Sequence, residues 1–240
     1  MAQVKHFFFE NVLPTVRSQL QPFLPITYQP GTVRLPEEPP NGYQHPQFGL
    51  DLLQPTRTIV YRERPSYGCF TLPITEILND TGHILYQVKL ENWTCCEPPR
   101  TTVMTDLRTG SDVARFELEQ KCGCICSCFR APELNVTVRA VATGEILGVV
   151  QLDRVSCWRY DFTVSDGAGR MVVRVVNKSQ WGRRATFHLL NSEGTVIGRI
   201  TAEGYHYYCY RMEFPEGLDV ATKTTLLAFL NLLVRSKWVN

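Results

Sequence analysis

Four alternating cysteines, in the run Cys122-Gly123-Cys124-Ile125-Cys126-Ser127-Cys128, are the densest group of reactive side chains in this sequence. In an extended segment they share one face at intervals of about 7 Å, and the outer two stand about 20 Å apart. A straight strand therefore cannot bring all four thiolates within about 2.3 Å of one zinc ion. Three chemistries are open to them. One is S-acylation or another thiol modification; another is zinc binding, if the segment folds back or Cys95 and Cys96 join it; the third is burial as small apolar side chains. Nine cysteines in total, an odd number, fit reduced thiols better than a disulfide framework.

No other constellation suggests catalysis. The chain has no G-x-S-x-G elbow, P-loop or H-E-x-x-H, and its five histidines are scattered, so an enzyme is not expected. Asp219 follows Phe214-Pro215-Glu216-Gly217-Leu218 at the entrance to a helical segment, where a carboxylate caps free backbone N–H groups. A formal net charge of +2 and an isoelectric point near 8.1 give no general attraction to nucleic acid, and no such partner is expected. The opening MAQVKHFFFENVLP lacks the apolar core of a signal peptide, which predicts a cytosolic start. The sequons at Asn79, Asn92, Asn135 and Asn177 carry no meaning in that compartment.

The elements that must position these residues are mostly strands. Prolines at 14, 22, 25, 30, 36, 39, 40 and 46 mark residues 1–48 as a proline-rich tail, a candidate segment for protein partners. Residues 49–240 form the second unit. Strands are expected near Thr56–Arg62, Cys69–Ile77, His83–Glu91, Thr101–Asp106, Asp112–Leu118 and Leu134–Ala142. Six more are expected near Ile146–Leu152, Trp158–Val164, Arg170–Val176, Arg184–Leu190, Thr195–Ala202 and Tyr205–Glu213. Glycine turns between them predict an antiparallel meander of hairpins, and closing so many strands into a barrel removes the exposed edges. Thr222–Trp238 reads as a helix that is apolar all round, with Leu226, Leu227, Phe229, Leu230 and Leu233 among its core residues. Its apolar run is too short to cross a bilayer, which needs about 20 such residues, so it is expected to fill the barrel. The fold class is therefore all-β with one buried helix: a closed antiparallel barrel of about twelve strands.

The segment Phe214-Pro215-x-x-Leu218-Asp219-Val220-x-x-Lys223-x-x-Leu226-Leu227, the upstream cysteines and the Thr143-Gly144…Gly148…Gln151 hairpin together resemble the phospholipid scramblase family. The similarity runs from about Phe48 to Trp238. The family resembles the tubby-like fold, a twelve-stranded barrel around a hydrophobic C-terminal helix. The resemblance implies a membrane-associated protein on the cytosolic face, with membrane phospholipids as partners and calcium-dependent, bidirectional lipid movement between leaflets as its activity. It also implies palmitoylation at Cys122, Cys124, Cys126 and Cys128, although the run is sparser than the family's. Family members carry acidic residues shortly before the Phe-Pro pair, where this chain reads Tyr205-His206-Tyr207-Tyr208-Cys209-Tyr210-Arg211-Met212-Glu213. Glu213, Glu216 and Asp219 are the remaining calcium candidates. Ca²⁺ takes six to eight hard oxygen ligands, so weak binding or none is expected, with a transport-inactive interaction module as the alternative function.

Overall fold

A computed structural model describes residues 49–64, 73–91, 100–121, 133–156, 159–178, 185–203 and 209–235. The tail at 1–48, the four-cysteine run, Cys95, Cys96 and Tyr205–Tyr208 lie outside the described residues. The first strands are β1 (Thr58–Arg64), β2 (Ile74–Asn79), β3 (Ile84–Glu91), β4 (Thr101–Asp106), β5 (Asp112–Lys121) and β6 (Glu133–Ala140). They are followed by β7 (Ile146–Ser156), β8 (Arg159–Asp166), β9 (Met171–Asn177), β10 (Thr186–Leu190), β11 (Val196–Ala202) and β12 (Cys209–Glu213), and then by helix α1 (Val220–Arg235). Each strand pairs antiparallel with the next, and β1 pairs with β12 to close the barrel.

The expected twelve strands and one helix are all present, with shifted ends. β5 and β7 run on to Lys121 and Ser156, while the expected starts of β2 at Cys69 and of β12 at Tyr205 lie outside the described residues. α1 begins two residues early, at Val220. The turns behave as glycine-dependent hairpins: Gly82, between β2 and β3, adopts φ +83°, a left-handed conformation that a side chain resists. One short element was not anticipated. A 3₁₀ turn, Asp51–Leu53, precedes β1 and buries Leu50 and Leu53 against the core.

Side chains alternate across the wall, as a pleated strand requires. In β1, Ile59 and Tyr61 point into the core while Arg62 and Arg64 are exposed. Outward positions carry ion pairs between strands: Arg62–Glu76 at 2.8 Å, Arg139–Glu117 at 3.0 Å, Arg174–Asp161 at 3.2 Å and Arg199–Glu213 at 3.0 Å. A barrel that crosses a bilayer presents an apolar band to lipid, and charged residues on that face are costly. This wall has the opposite polarity, with ion pairs outside and an apolar interior.

α1 occupies that interior. Leu226, Leu227, Phe229 and Leu230 have no exposed surface, Leu232 and Val234 are also buried, and Leu233 is only partly covered. The Phe229 ring meets Phe162 of β8 and Phe187 of β10 edge-on, with centroids 4.9 and 5.7 Å away. Gly148 of β7 lies where the wall closely approaches Thr225 of the helix. A Cβ there would lie 2.5 Å from both the Ser165 carbonyl oxygen and Thr225 Oγ1, so only glycine fits. Among the described residues no helix is long and apolar enough to cross a membrane.

Candidate functional site

The strand order sorts the connections between the two ends of the barrel. Short glycine hairpins join β2 to β3, β4 to β5, β6 to β7, β8 to β9 and β10 to β11 at one end, where the chain also enters β1 and leaves β12 for α1. At the other end β1, β3, β5, β7, β9 and β11 hand over to β2, β4, β6, β8, β10 and β12. Cys122–Cys128 join β5 to β6 at this second end. Cys69, Cys95, Cys96 and Cys157 also fall in its connections, and Cys209 is the first residue of β12. In chain order, eight cysteines therefore fall in connections that lead from an odd-numbered strand to the next, and the ninth, Cys209, opens β12. Trp93, Trp158 and Trp181 fall in the same set of connections. Of the cysteines, only Cys209 is among the described residues. Burial, and then the nearby Glu203, push its thiol above the usual range, which disfavours the reactive thiolate.

At the hairpin end, the three calcium candidates have other partners. Glu213 accepts two hydrogen bonds from Arg199, both 3.0 Å long. Glu216 pairs with Arg57 at 3.0 Å on the open surface. Asp219 caps α1, with Oδ1 accepting the Thr222 backbone N–H at 2.8 Å and Oδ2 accepting the Thr222 hydroxyl at 2.7 Å. The capping role expected for Asp219 is thus observed, whereas Arg199 as the partner of Glu213 depends on strand register that the local sequence does not display. Among the described residues no group of three or more His, Cys, Asp or Glu side chains is arranged to hold a metal ion.

Reasoning from the sequence missed the role of Lys223. It stands one turn into α1 and is 5% exposed. Its Nζ donates to the carbonyl oxygens of Leu53, Gln54 and Thr56 at 2.8, 2.9 and 2.8 Å, and it lies 5.3 Å from the Phe214 ring centroid. Burial pulls its pKa below the lysine range, and Asp219 opposes that shift. The segment it grips is also held by the Tyr86 hydroxyl, which donates to the Gly49 carbonyl at 2.8 Å, and by Arg108, which bridges Asp51 and Asp106. The signal in the sequence was a lysine one turn into a largely apolar helix.

Toward the other end of α1, Asn231 occupies the core. The Tyr61 hydroxyl donates to its Oδ1 at 3.1 Å, and its Nδ2 donates to Thr102 Oγ1 at 3.2 Å. One turn further, burial holds Arg235 down to about 10, a shift countered by Tyr61 and Glu63. A small cleft there, lined by Phe116, Leu118, Val136 and Leu232, is too tight for a lipid chain.

Together these features define a closed antiparallel barrel of twelve strands filled by one helix. Among solved structures, the chain is similar to a protein from Arabidopsis thaliana, at 17% identity over 74% of this chain and 91% of that one, with a TM-score of 0.45. No family model and no curated protein matches the sequence.

Proposed function

We propose that this chain is a phospholipid scramblase-like protein. Acyl chains on some of Cys122, Cys124, Cys126 and Cys128 hold it at the cytosolic face of a membrane, where it moves phospholipids in both directions between leaflets without cleaving them. What supports this reading is a barrel whose described wall is charged and whose lumen is filled, together with a chain order that puts Cys122, Cys124, Cys126 and Cys128 in the connection between β5 and β6. Membrane contact through such a body is confined to an end. One acyl chain gives only marginal binding, and several neighbouring thiols provide the second anchor that stable attachment requires. The tryptophans in the same connections suit the membrane–water interface.

Membrane fractionation before and after thioester cleavage by hydroxylamine tests the attachment. The expected result is release on cleavage and loss of binding when all four cysteines become serine. Stoichiometric zinc in the purified protein, with no hydroxylamine-sensitive mass shift, would overturn it. A lipid-flip assay on reconstituted protein, with and without calcium, tests transport. A second reading, a transport-inactive barrel that recruits partners through the proline-rich tail, is favoured by the commitment of Glu213, Glu216 and Asp219 to other partners. It predicts membrane binding with no lipid movement in either calcium condition.

A further inference from the structure

We propose that the hairpin end of the barrel is a docking surface for a basic, amphipathic segment of a partner protein. This goes beyond the lipid reading above and does not depend on it. Among the described residues the exposed large apolar side chains are Leu107, Val141, Met171 and Val196, the last of them 53% exposed. None lies in the middle of a strand. They occupy the four consecutive hairpins from β4–β5 to β10–β11, one to each. Exposed apolar residues scattered singly need no explanation, whereas one at each of four neighbouring tips gathers apolar surface at one end of the molecule. Met171 continues the core-facing row of Val173 and Val175, and Val196 that of Ile200 and Ala202, so both emerge at the rim from inside the barrel. The Val141 backbone N–H donates to the Val113 carbonyl at 3.1 Å, which holds one tip against the strand that leaves its neighbour.

The charge around these side chains selects the partner. Taken with the strand residues that flank them, the connections at this end contain ten carboxylates against three arginines and His83. Those arginines, Arg57, Arg108 and Arg170, each pair with a carboxylate, as do Arg139 and Arg199 just inside the adjoining strands. Among the described residues no cation pairs with the exposed Asp80, Asp112, Glu145 or Glu193. Three hairpins therefore repeat one unit, an exposed apolar side chain with a carboxylate that has no cation: Leu107 with Asp112, Val141 with Glu145, and Val196 with Glu193. Such a surface repels an anionic leaflet, a nucleic acid and a second copy of itself. It suits a segment whose large apolar side chains cover the four tips and whose lysines or arginines meet the carboxylates. Adjacent tips stand about two strand spacings apart, roughly 10 Å, a step that two turns of helix cover.

The test measures, by fluorescence anisotropy, binding of the full chain to a labelled helical peptide of leucine and lysine. Two matched peptides replace lysine with glutamate or leucine with serine. Only the leucine–lysine peptide is expected to bind. Val141→Ser with Val196→Ser should weaken it about tenfold, the effect of losing burial of roughly half of two valine side chains. Glu145→Lys and Glu193→Lys should each weaken it by up to about fivefold, the upper value for exposed ion pairs, and by less at high salt. Glu119→Lys, which alters an exposed carboxylate in the far half of β5, should leave binding unchanged. Circular dichroism and thermal melting show that each variant is folded. Equal binding of the serine–lysine peptide, or equal loss from Glu119→Lys, would overturn the proposal. So would self-association, or sedimentation with phosphatidylserine vesicles, that Val141→Ser with Val196→Ser abolishes, since these would assign the surface to another copy or to a membrane.

Discussion

The two ends of the core helix are fastened by different chemistry. At its start, a buried ammonium collects three backbone carbonyls from the segment before β1, so a single side chain organises a stretch with little regular structure of its own. Toward its end, a neutral amide links Tyr61 of β1 and Thr102 of β4 through one hydrogen bond each. Carbonyls outside a strand ladder must find a donor when buried, and a lysine supplies three. Strands satisfy their own backbone, so Asn231 has only side chains to serve. Polar residues in this core follow the needs of the adjacent backbone, while the apolar centre between them supplies most of the burial.

Six substitutions and one titration bear on this comparison. Phe229→Ala removes the apolar centre and should have the largest effect, a loss of about 3–5 kcal/mol by chemical denaturation; normal stability of Leu230→Asp would refute the filled barrel outright. Lys223→Met leaves three carbonyls without their donor and should cost about 3 kcal/mol, the upper end for hydrogen bonds to a charged group. Its signature is faster amide exchange in 50–57 than in β5 to β8. A uniform increase would mean that the lysine does not act locally. Asn231→Leu should cost less, about 1–2 kcal/mol, by leaving Tyr61 and Thr102 without a partner, and Tyr61→Phe in that background should add little. The tyrosines also give a pH limit. Burial pushes Tyr210 up to about 12 and raises Tyr61 and Tyr86 further, so the folded state keeps protons that the unfolded chain releases above about 10. The stability from these groups is complete below pH 10 and falls as pH rises through 12, a loss that phenolate absorbance follows against unfolding. The smallest effect belongs to Asp219→Ala, about 1 kcal/mol for a lost helix cap. Micromolar calcium binding abolished by that change would make Asp219 a metal ligand instead.

Most of the wall was legible in the sequence because the hairpins depend on local chemistry. Thr101–Asp106 appears with the expected limits, and the turn glycines that bound the strands set the order of the meander. The helix was legible from its unbroken apolar surface, and Asp219 from its place before it. What escaped was set by distant partners. Asp51–Leu53 is held by Lys223, far away in sequence, and the engagement of Glu213 follows from its register with Arg199 across β11 and β12. β5 and β7 extend past Leu118 and Leu152 because ladder hydrogen bonds continue where side-chain alternation no longer indicates a strand. Gly148 stood out in the sequence, but the reason for it lies in Thr225 on the helix.

The position of α1 after β12 also sets the order in which the molecule can assemble. The ribosome makes all twelve wall strands before the element they enclose, and β1 cannot meet its second neighbour until Glu213 of the last strand is available to pair with Thr58. Closure over so long a separation makes for slow folding. Until then the nascent chain has an open edge and an uncovered apolar face, the species most prone to aggregate or to engage chaperones. A chain that stops before Val220 would have every wall strand and almost nothing to fold around. The wall therefore gains its core only once α1 has been made.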